Sequence, residues 1–236
     1  MRERKTLYTL NVGMAYEPEI TAFTYPLMKH YAEKIGADFH IITERKYPSW
    51  PITYEKLQIH DLARKHLNDW SIYVDSDALI HPEMIDFTLH MSKDTVAHNG
   101  CDMASIRWRY DHYFRRDGRN IGSCNWFTIA SDWCLDLWRP LDDMTLEQAL
   151  RNIYPTVGEL TSVITPDHLI DDYVLSRNIA RFGLKYRNAK DIIRDVGIPD
   201  ANIFWHSYTI TLAEKVSQMK EIVEQWQIPK WRERCV

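Results

Sequence analysis

The stretch Tyr73-Val74-Asp75-Ser76-Asp77-Ala78-Leu79-Ile80 constrains this chain more than any other, because it sets two carboxylates inside an apolar run. Ile72, Tyr73 and Val74 read as a buried strand, and Ala78, Leu79 and Ile80 resume the apolar pattern directly after the acids. Charged groups embedded in such a run need a compensating partner. Side chains at i and i+2 of an extended segment point the same way, so Asp75 and Asp77 are expected to converge on one point. Two like charges held that close disfavour each other's ionisation unless a cation lies between them. An oxygen-only pair suits a hard ion such as Mg2+ or Mn2+, completed by waters and phosphate oxygens. The plain alternative is an Asp-Ser-Asp turn whose carboxylates accept from neighbouring amides; the apolar setting favours the metal.

The elements around this segment alternate. Residues 7–12 read as a first strand ending at Gly13, and residues 24–35 carry Met28, Tyr31 and Ile35 at helical spacing before Gly36 as a C-cap. A short strand at 39–42 and a helix at 55–67 lead to the acidic strand. Strand-helix alternation of this kind predicts an α/β fold, Rossmann-like, with a mostly parallel sheet and helices on both faces. Beyond residue 80 the pattern is irregular: strands at 103–108 and 125–130, a helix at 132–138, a helix within 166–182 closed by Gly183, and a last helix at 212–226. In open α/β sheets ligands lie beyond the carboxyl ends of the strands. That places Asn11, Val12, Gly13 and Tyr16 on the rim of the acidic pair, where Gly13 would let backbone approach a ligand or serve as a simple turn residue, and Tyr16 would stack on that ligand or stand as a surface aromatic.

Composition bounds the function. The 236 residues suffice for one good core, no Pro/Gly/Ser-rich linker or repeat interrupts them, and one domain spanning 1–236 is expected. A formal net charge of -4 argues against a nucleic-acid binder, which would need a basic face. No stretch approaches the ~20 apolar residues of a spanning helix. The start leads into a strand rather than a signal-peptide core. Cys101, Cys124, Cys134 and Cys235 lack both CxxC spacing and disulfide-scaffold density, so they read as reduced thiols of a cytoplasmic protein, although a lumenal fragment cut from its anchor would look similar. At the C-terminus Trp226, Lys230, Trp231, Arg232 and Arg234 mix aromatic and basic residues as membrane-surface segments do, which raises peripheral membrane contact, with helix packing as the competing role of Trp226.

The DxD at the end of a strand resembles that of metal-dependent glycosyltransferases of the GT-A fold. Tyr54-Glu55-Lys56, the helix to residue 67 and Trp70 leading into YVDSDALI look like retaining families near glycogenin and the xylosyl- and galactosyl-transferases. Phe204-Trp205-His206-Ser207-Tyr208-Thr209 falls where those families carry an HxxGxxK-type strand whose histidine is the third metal ligand. This chain departs from that pattern: Tyr208 and Thr209 stand where glycine is expected, and no lysine follows until Lys215. The resemblance runs from about residue 6 to about residue 212 in element order.

It implies a nucleotide-binding half at 1–80 and an acceptor-binding half with the C-terminal helix at 81–236. It also implies Asp75, Asp77 and His206 as metal ligands, with the nitrogen ligand favouring Mn2+ over Mg2+. Lys56 and Ser76 join the donor-binding group. A pair at the start of a later helix borders the donor sugar in similar retaining enzymes, and an acid there serves as base in inverting ones. This assigns Asp172 to the sugar and Asp171 to the helix or a sugar hydroxyl, against the plain reading of both as helix-start acids. Acceptor contacts are assigned to Trp108, Asp111, Arg115, Asn125 and Trp126, because aromatic faces stack on sugars and arginines grip anions.

The implied activity is transfer of a sugar, with retention, from a nucleotide-diphosphate sugar (UDP by resemblance) to a hydroxyl of a glycan or glycoconjugate. An inverting transferase using Asp172 as base is the nearest alternative, and a non-catalytic carbohydrate or nucleotide-sugar binder of the same fold is another. A sugar-phosphate nucleotidyltransferase would carry a Gly-rich basic loop after the first strand, which Val12-Gly13-Met14-Ala15 is not.

Overall fold

The structure, a computed structural model, describes residues 3–14, 18–99, 126–153, 165–198, 204–206 and 211–226. Strands β1 (Lys5–Leu10), β2 (Asp38–Ile42), β3 (Trp70–Val74), β5 (Thr95–His98), β6 (Phe127–Ser131) and β7 (Lys185–Asn188) form one sheet in the order β2-β1-β3-β6-β5-β7. β1 runs parallel to β2 and β3, β7 runs parallel to β5, and β6 is antiparallel to both of its neighbours. One reversed strand in six makes the sheet mostly parallel, as the alternation predicts. A separate two-stranded piece joins β4 (Leu79–Ile80) to β8 (Phe204–Trp205).

The helices are α1 (Thr21–Ile35), α2 (Ile59–His66), α3 (Leu146–Leu150), α4 (Ile170–Arg181), α5 (Ala189–Asp195) and α6 (Leu212–Gln225). The period-2 alternation of the strands decides which face each covers. Leu7, Ile72, Ala97 and Ile129 pack with Met28, Tyr31 and Ile35 of α1 and Ala189, Ile192 and Ile193 of α5. Tyr8, Tyr73, Val96 and Ala130, one residue out of phase, pack on the other face with Ile59 of α2, Trp138, and Ile170, Tyr173 and Val174 of α4. Both faces are covered, so every residue of β3 is buried. Each fully buried large apolar side chain contributes roughly 1.5–3 kcal/mol.

The differences from the sequence pattern have local causes. β1 stops at Leu10 because Val12–Met14 curls into a 3-10 turn in which Gly13 takes φ 73°. The expected helix at 55–67 is a 3-10 segment, Ile52–Gln58, followed by α2. Glu55 is fully buried there, accepting from Arg45 Nε at 2.7 Å, from the Lys46 and Tyr47 amides at 2.9 Å each, and from Gln58 Nε2 at 2.8 Å. Leu67, with φ 55°, closes α2 in the left-handed conformation usually left to glycine. The segment Asp132–Trp138 is also 3-10 rather than α, started by Ser131 Oγ accepting from the Trp133 amide at 3.1 Å. β5, β7, α3 and α5 were not foreseen; β7 is an edge strand reading Lys-Tyr-Arg-Asn, and edge strands carry charge that masks the pattern.

The strand expected at 103–108 lies outside the described residues, as do Lys230, Trp231, Arg232 and Arg234. Trp226 ends α6 packed beside Met219, with its ring 4.9 Å from that of His81 at 72°. Among the described residues no helix is long and apolar enough to cross a membrane.

Candidate active site

β1, β3 and β5 end on one rim, and the reversed β6 begins there, so the chain around Trp126 faces the ends of its neighbours. The Asp75 amide donates to the Trp126 carbonyl at 2.8 Å and the Asn99 amide to the Phe127 carbonyl at 3.0 Å. Immediately after β3 the chain turns. The Ala78 amide donates to the Asp75 carbonyl at 2.9 Å, so Asp75-Ser76-Asp77 is a tight turn and not the extended segment that the i, i+2 argument assumes. From α1, Thr24 Oγ1 donates to the Ser76 carbonyl at 2.6 Å and fixes that turn. Ser76 is itself buried.

β4 follows the turn and pairs Leu79 with Trp205 and Ile80 with Phe204. This antiparallel register delivers His206 to the carboxylates, with its Nε2 3.3 Å from Asp77 Oδ1 and 3.7 Å from Asp75 Oδ2. One donor atom from each of Asp75, Asp77 and His206 lies within 4.8 Å of the others. Trp126 stacks on the imidazole at 5.1 Å and 16°, which holds the ring in plane.

Two lysines balance the acids. Lys56, delivered by the 3-10 segment, bridges Asp75 Oδ1 at 2.9 Å and Asp171 Oδ2 at 2.6 Å, with its ammonium 4.9 Å from the centre of the Tyr73 ring. Burial works against its charge, but Asp171 and Asp75 outweigh burial and hold its pKa above the ordinary lysine value. Tyr73 donates its hydroxyl to Asp75 Oδ1, and burial together with that carboxylate pushes the phenol well above its usual range. Lys215 of α6 holds Asp77 Oδ2. Burial would raise the Asp77 pKa, yet His206 and Lys215 hold the carboxyl well below the usual range.

Two carboxylates and an imidazole in mutual reach form an oxygen-rich donor set with one nitrogen, a combination that suits Mn2+ or Mg2+. The ligand atoms of an octahedral ion with bonds near 2.1 Å lie roughly 3–4.2 Å apart, so these side chains fit such an ion after a small closure.

The other expected residues divide. Asp171 and Asp172 occupy the first turn of α4 and are both buried; the N-cap there is Leu169, without a side-chain cap, and Asp171 goes to Lys56. Asn11 is buried at the end of β1, its amide donating to the Ile42 carbonyl at 2.9 Å, while Val12 packs on the core and Gly13 is exposed. Trp126 is half-buried, with its ring against Phe204 and His206. Tyr16, Trp108, Asp111, Arg115 and Asn125 lie outside the described residues.

Lys215 and Tyr73 were missed as partners of the acids. The signal for Lys215 was available: it stands four residues before Met219 on the stripe of α6 that is buried. An open cleft of about 550 Å³ on the opposite rim, lined by Leu67, Asp69, Asp132, Trp133 and Asp136, has no such ligand set, and Lys93 already pairs with Asp69 and Asp132.

No protein-family profile and no curated protein matches the chain. Solved structures similar to it include a glycosyltransferase involved in the glycosylation of the major capsid of PBCV-1, at 13% identity and TM-score 0.49, covering 92% of this chain and 99% of that one. They also include the galactosyltransferase LgtC in complex with donor and acceptor sugar analogs, at 12% identity and TM-score 0.42, covering 98% and 99%.

Proposed function

We propose that this chain is a single-domain, metal-dependent glycosyltransferase of GT-A type, moving a sugar from a nucleotide-diphosphate sugar, UDP-linked by resemblance, to a hydroxyl of a glycan or glycoconjugate. The observation that carries the reading is the convergence of Asp75, Asp77 and His206 at the end of the central strand β3. These three would hold Mn2+ or Mg2+, which when bound neutralises charge developing on the departing diphosphate. Asn11, Val12 and Gly13 border the same rim and are assigned to the nucleotide together with Tyr16, and Ser76 is assigned to the donor through the turn it occupies.

Lys56 keeps Asp75 and Asp171 in place and is assigned to the donor by resemblance. Asp171 pairs with Lys56, and Asp172 is assigned to the donor sugar by resemblance. Retention is the preferred outcome by resemblance; inversion would use Asp172 as the base for the acceptor hydroxyl. Trp108, Asp111, Arg115, Asn125 and Trp126 are assigned to the acceptor.

The test is a thermal-shift panel of nucleotide-sugars with and without Mn2+, followed by assay of donor hydrolysis, since a ligand bound only by the folded state raises its apparent stability. A Mn2+-linked shift with turnover is expected, abolished in Asp77→Ala. Binding without turnover across all donors would favour an inert binder of the same fold, and a shift unchanged in Asp77→Ala would refute the metal assignment.

A further inference from the structure

The two oxygens of Asp77 serve different groups: Oδ1 faces His206 at 3.3 Å, and Oδ2 is held by the Lys215 ammonium. Asp77 and Lys215 are each only 6% exposed, so this is a buried ion pair and not a surface contact screened by water. Lysine is rarely buried without a specific reason. Here the ammonium is delivered by a built element. A capping box between Thr211 and Glu214 fixes the start of α6, and Met219, one turn beyond Lys215, packs against Ile20, Leu27 and Leu79. Leu79 lies two residues beyond Asp77, so the helix and the acidic turn share one packed base.

The charge pattern supplies the reason. Three carboxylates crowd the site; Lys56 serves Asp75 and Asp171, and Lys215 serves Asp77. Two ammonium groups thereby offset part of the charge of these acids. A divalent cation coordinated by Asp77 would share that carboxylate with an ammonium group in a desolvated setting, where repulsion between like charges a few ångströms apart is strong.

On the reading of Asp75, Asp77 and His206 as metal ligands, we propose that Lys215 is an internal competitor for the metal: its ammonium holds Asp77 Oδ2 and competes with a divalent ion for that carboxylate. Metal affinity is then set by a balance between the ion and a lysine on α6, and metal entry is coupled to displacement of that side chain. Any change that draws Lys215 off Asp77 strengthens metal binding, and any change that locks it there weakens binding.

The experiment measures Mn2+ binding to the purified full chain by electron paramagnetic resonance of free Mn2+, with no nucleotide present, in wild type, Lys215→Met, Lys215→Arg and Asp77→Ala. Lys215→Met is expected to bind Mn2+ at least tenfold more tightly than wild type, and Lys215→Arg, which keeps the charge, no more tightly than wild type. Affinity in Lys215→Met equal to or weaker than wild type would overturn the competition. Equal Mn2+ binding by wild type and Asp77→Ala would instead overturn the metal site itself, so the two failures are distinguishable. Should Lys215→Met fold poorly, the wild-type lysine ammonium resonances titrated with Mg2+ give the answer: the Lys215 signal, identified by its loss in Lys215→Arg, moves with Mg2+ occupancy, and a signal unchanged at saturation overturns the proposal.

Discussion

Lys56→Met is expected to cost about 3–5 kcal/mol of stability at neutral pH, because it leaves the buried Asp171 and the partly buried Asp75 facing a thioether. The side chains of Lys56 and Asp171 are 5% and 3% exposed, and the ammonium lies 2.6 Å from Asp171 and 2.9 Å from Asp75. Removing one partner of a buried pair typically costs about 3–5 kcal/mol, since the remaining charge keeps its desolvation without its compensation. Methionine fills most of the volume, so little of the loss comes from a cavity. For a chain of this size, with roughly 2–4 °C per kcal/mol, the midpoint falls by about 6–20 °C.

The pH dependence has a definite sign. A lysine whose pKa is raised in the folded state contributes its full stabilisation below its unfolded pKa and loses it only as pH climbs through the folded value. The gap between wild type and Lys56→Met should therefore be constant from pH 6 to 9 and narrow only above the ordinary lysine value of 10.5. Urea unfolding with chelator present, beside the exposed control Lys65→Met at within about 0.5 kcal/mol of wild type, is the assay. A gap below about 1 kcal/mol at pH 7 would refute the view that Lys56 organises the acids.

His98 is 3% exposed, and burial lowers its pKa from 6.5 to about 4. The unfolded chain then binds the proton first as pH falls, so stability is full above pH 6.5 and drains away towards pH 4. Between pH 7 and 5 wild type should lose roughly 2 kcal/mol more than His98→Phe, at about 1.36 kcal/mol per unit; parallel urea midpoints in the two proteins would contradict this. Thr24→Val removes the 2.6 Å bond to the Ser76 carbonyl, leaving a buried acceptor without its donor at a cost of roughly 1–3 kcal/mol. The same change should shrink the Mn2+-linked thermal shift, and a full shift in Thr24→Val would show that the turn holds its shape without α1.

Much of the framework was legible because the strands announce themselves by burial on both faces. Ile72-Tyr73-Val74 reads as a buried strand and lies in the central β3, and Gly36 and Gly183 mark helix ends with φ 66° and 64°. The acidic pair was found for a partly mistaken reason. Its carboxylates meet through a turn pinned by Thr24 and through His206 carried in by the β4–β8 pairing, neither of which is encoded in i, i+2 spacing. Glu55 carries no local sign of burial, yet it is buried as the acceptor for two backbone amides 8 and 9 residues away. Long-range partners such as Lys215 for Asp77, 138 residues apart, leave no local pattern beyond one charge on an apolar stripe.

The most direct measurement is the anomalous diffraction signal of a crystal grown with Mn2+ and UDP. A single peak within about 2.0–2.3 Å of a carboxylate oxygen from each of Asp75 and Asp77 and of a nitrogen of His206 is the expected result, with the Lys215 ammonium moved off Asp77. A crystal saturated with both that shows no peak there, and still has Lys215 paired to Asp77, would contradict the assignment of this rim as a metal-dependent glycosyl-transfer site.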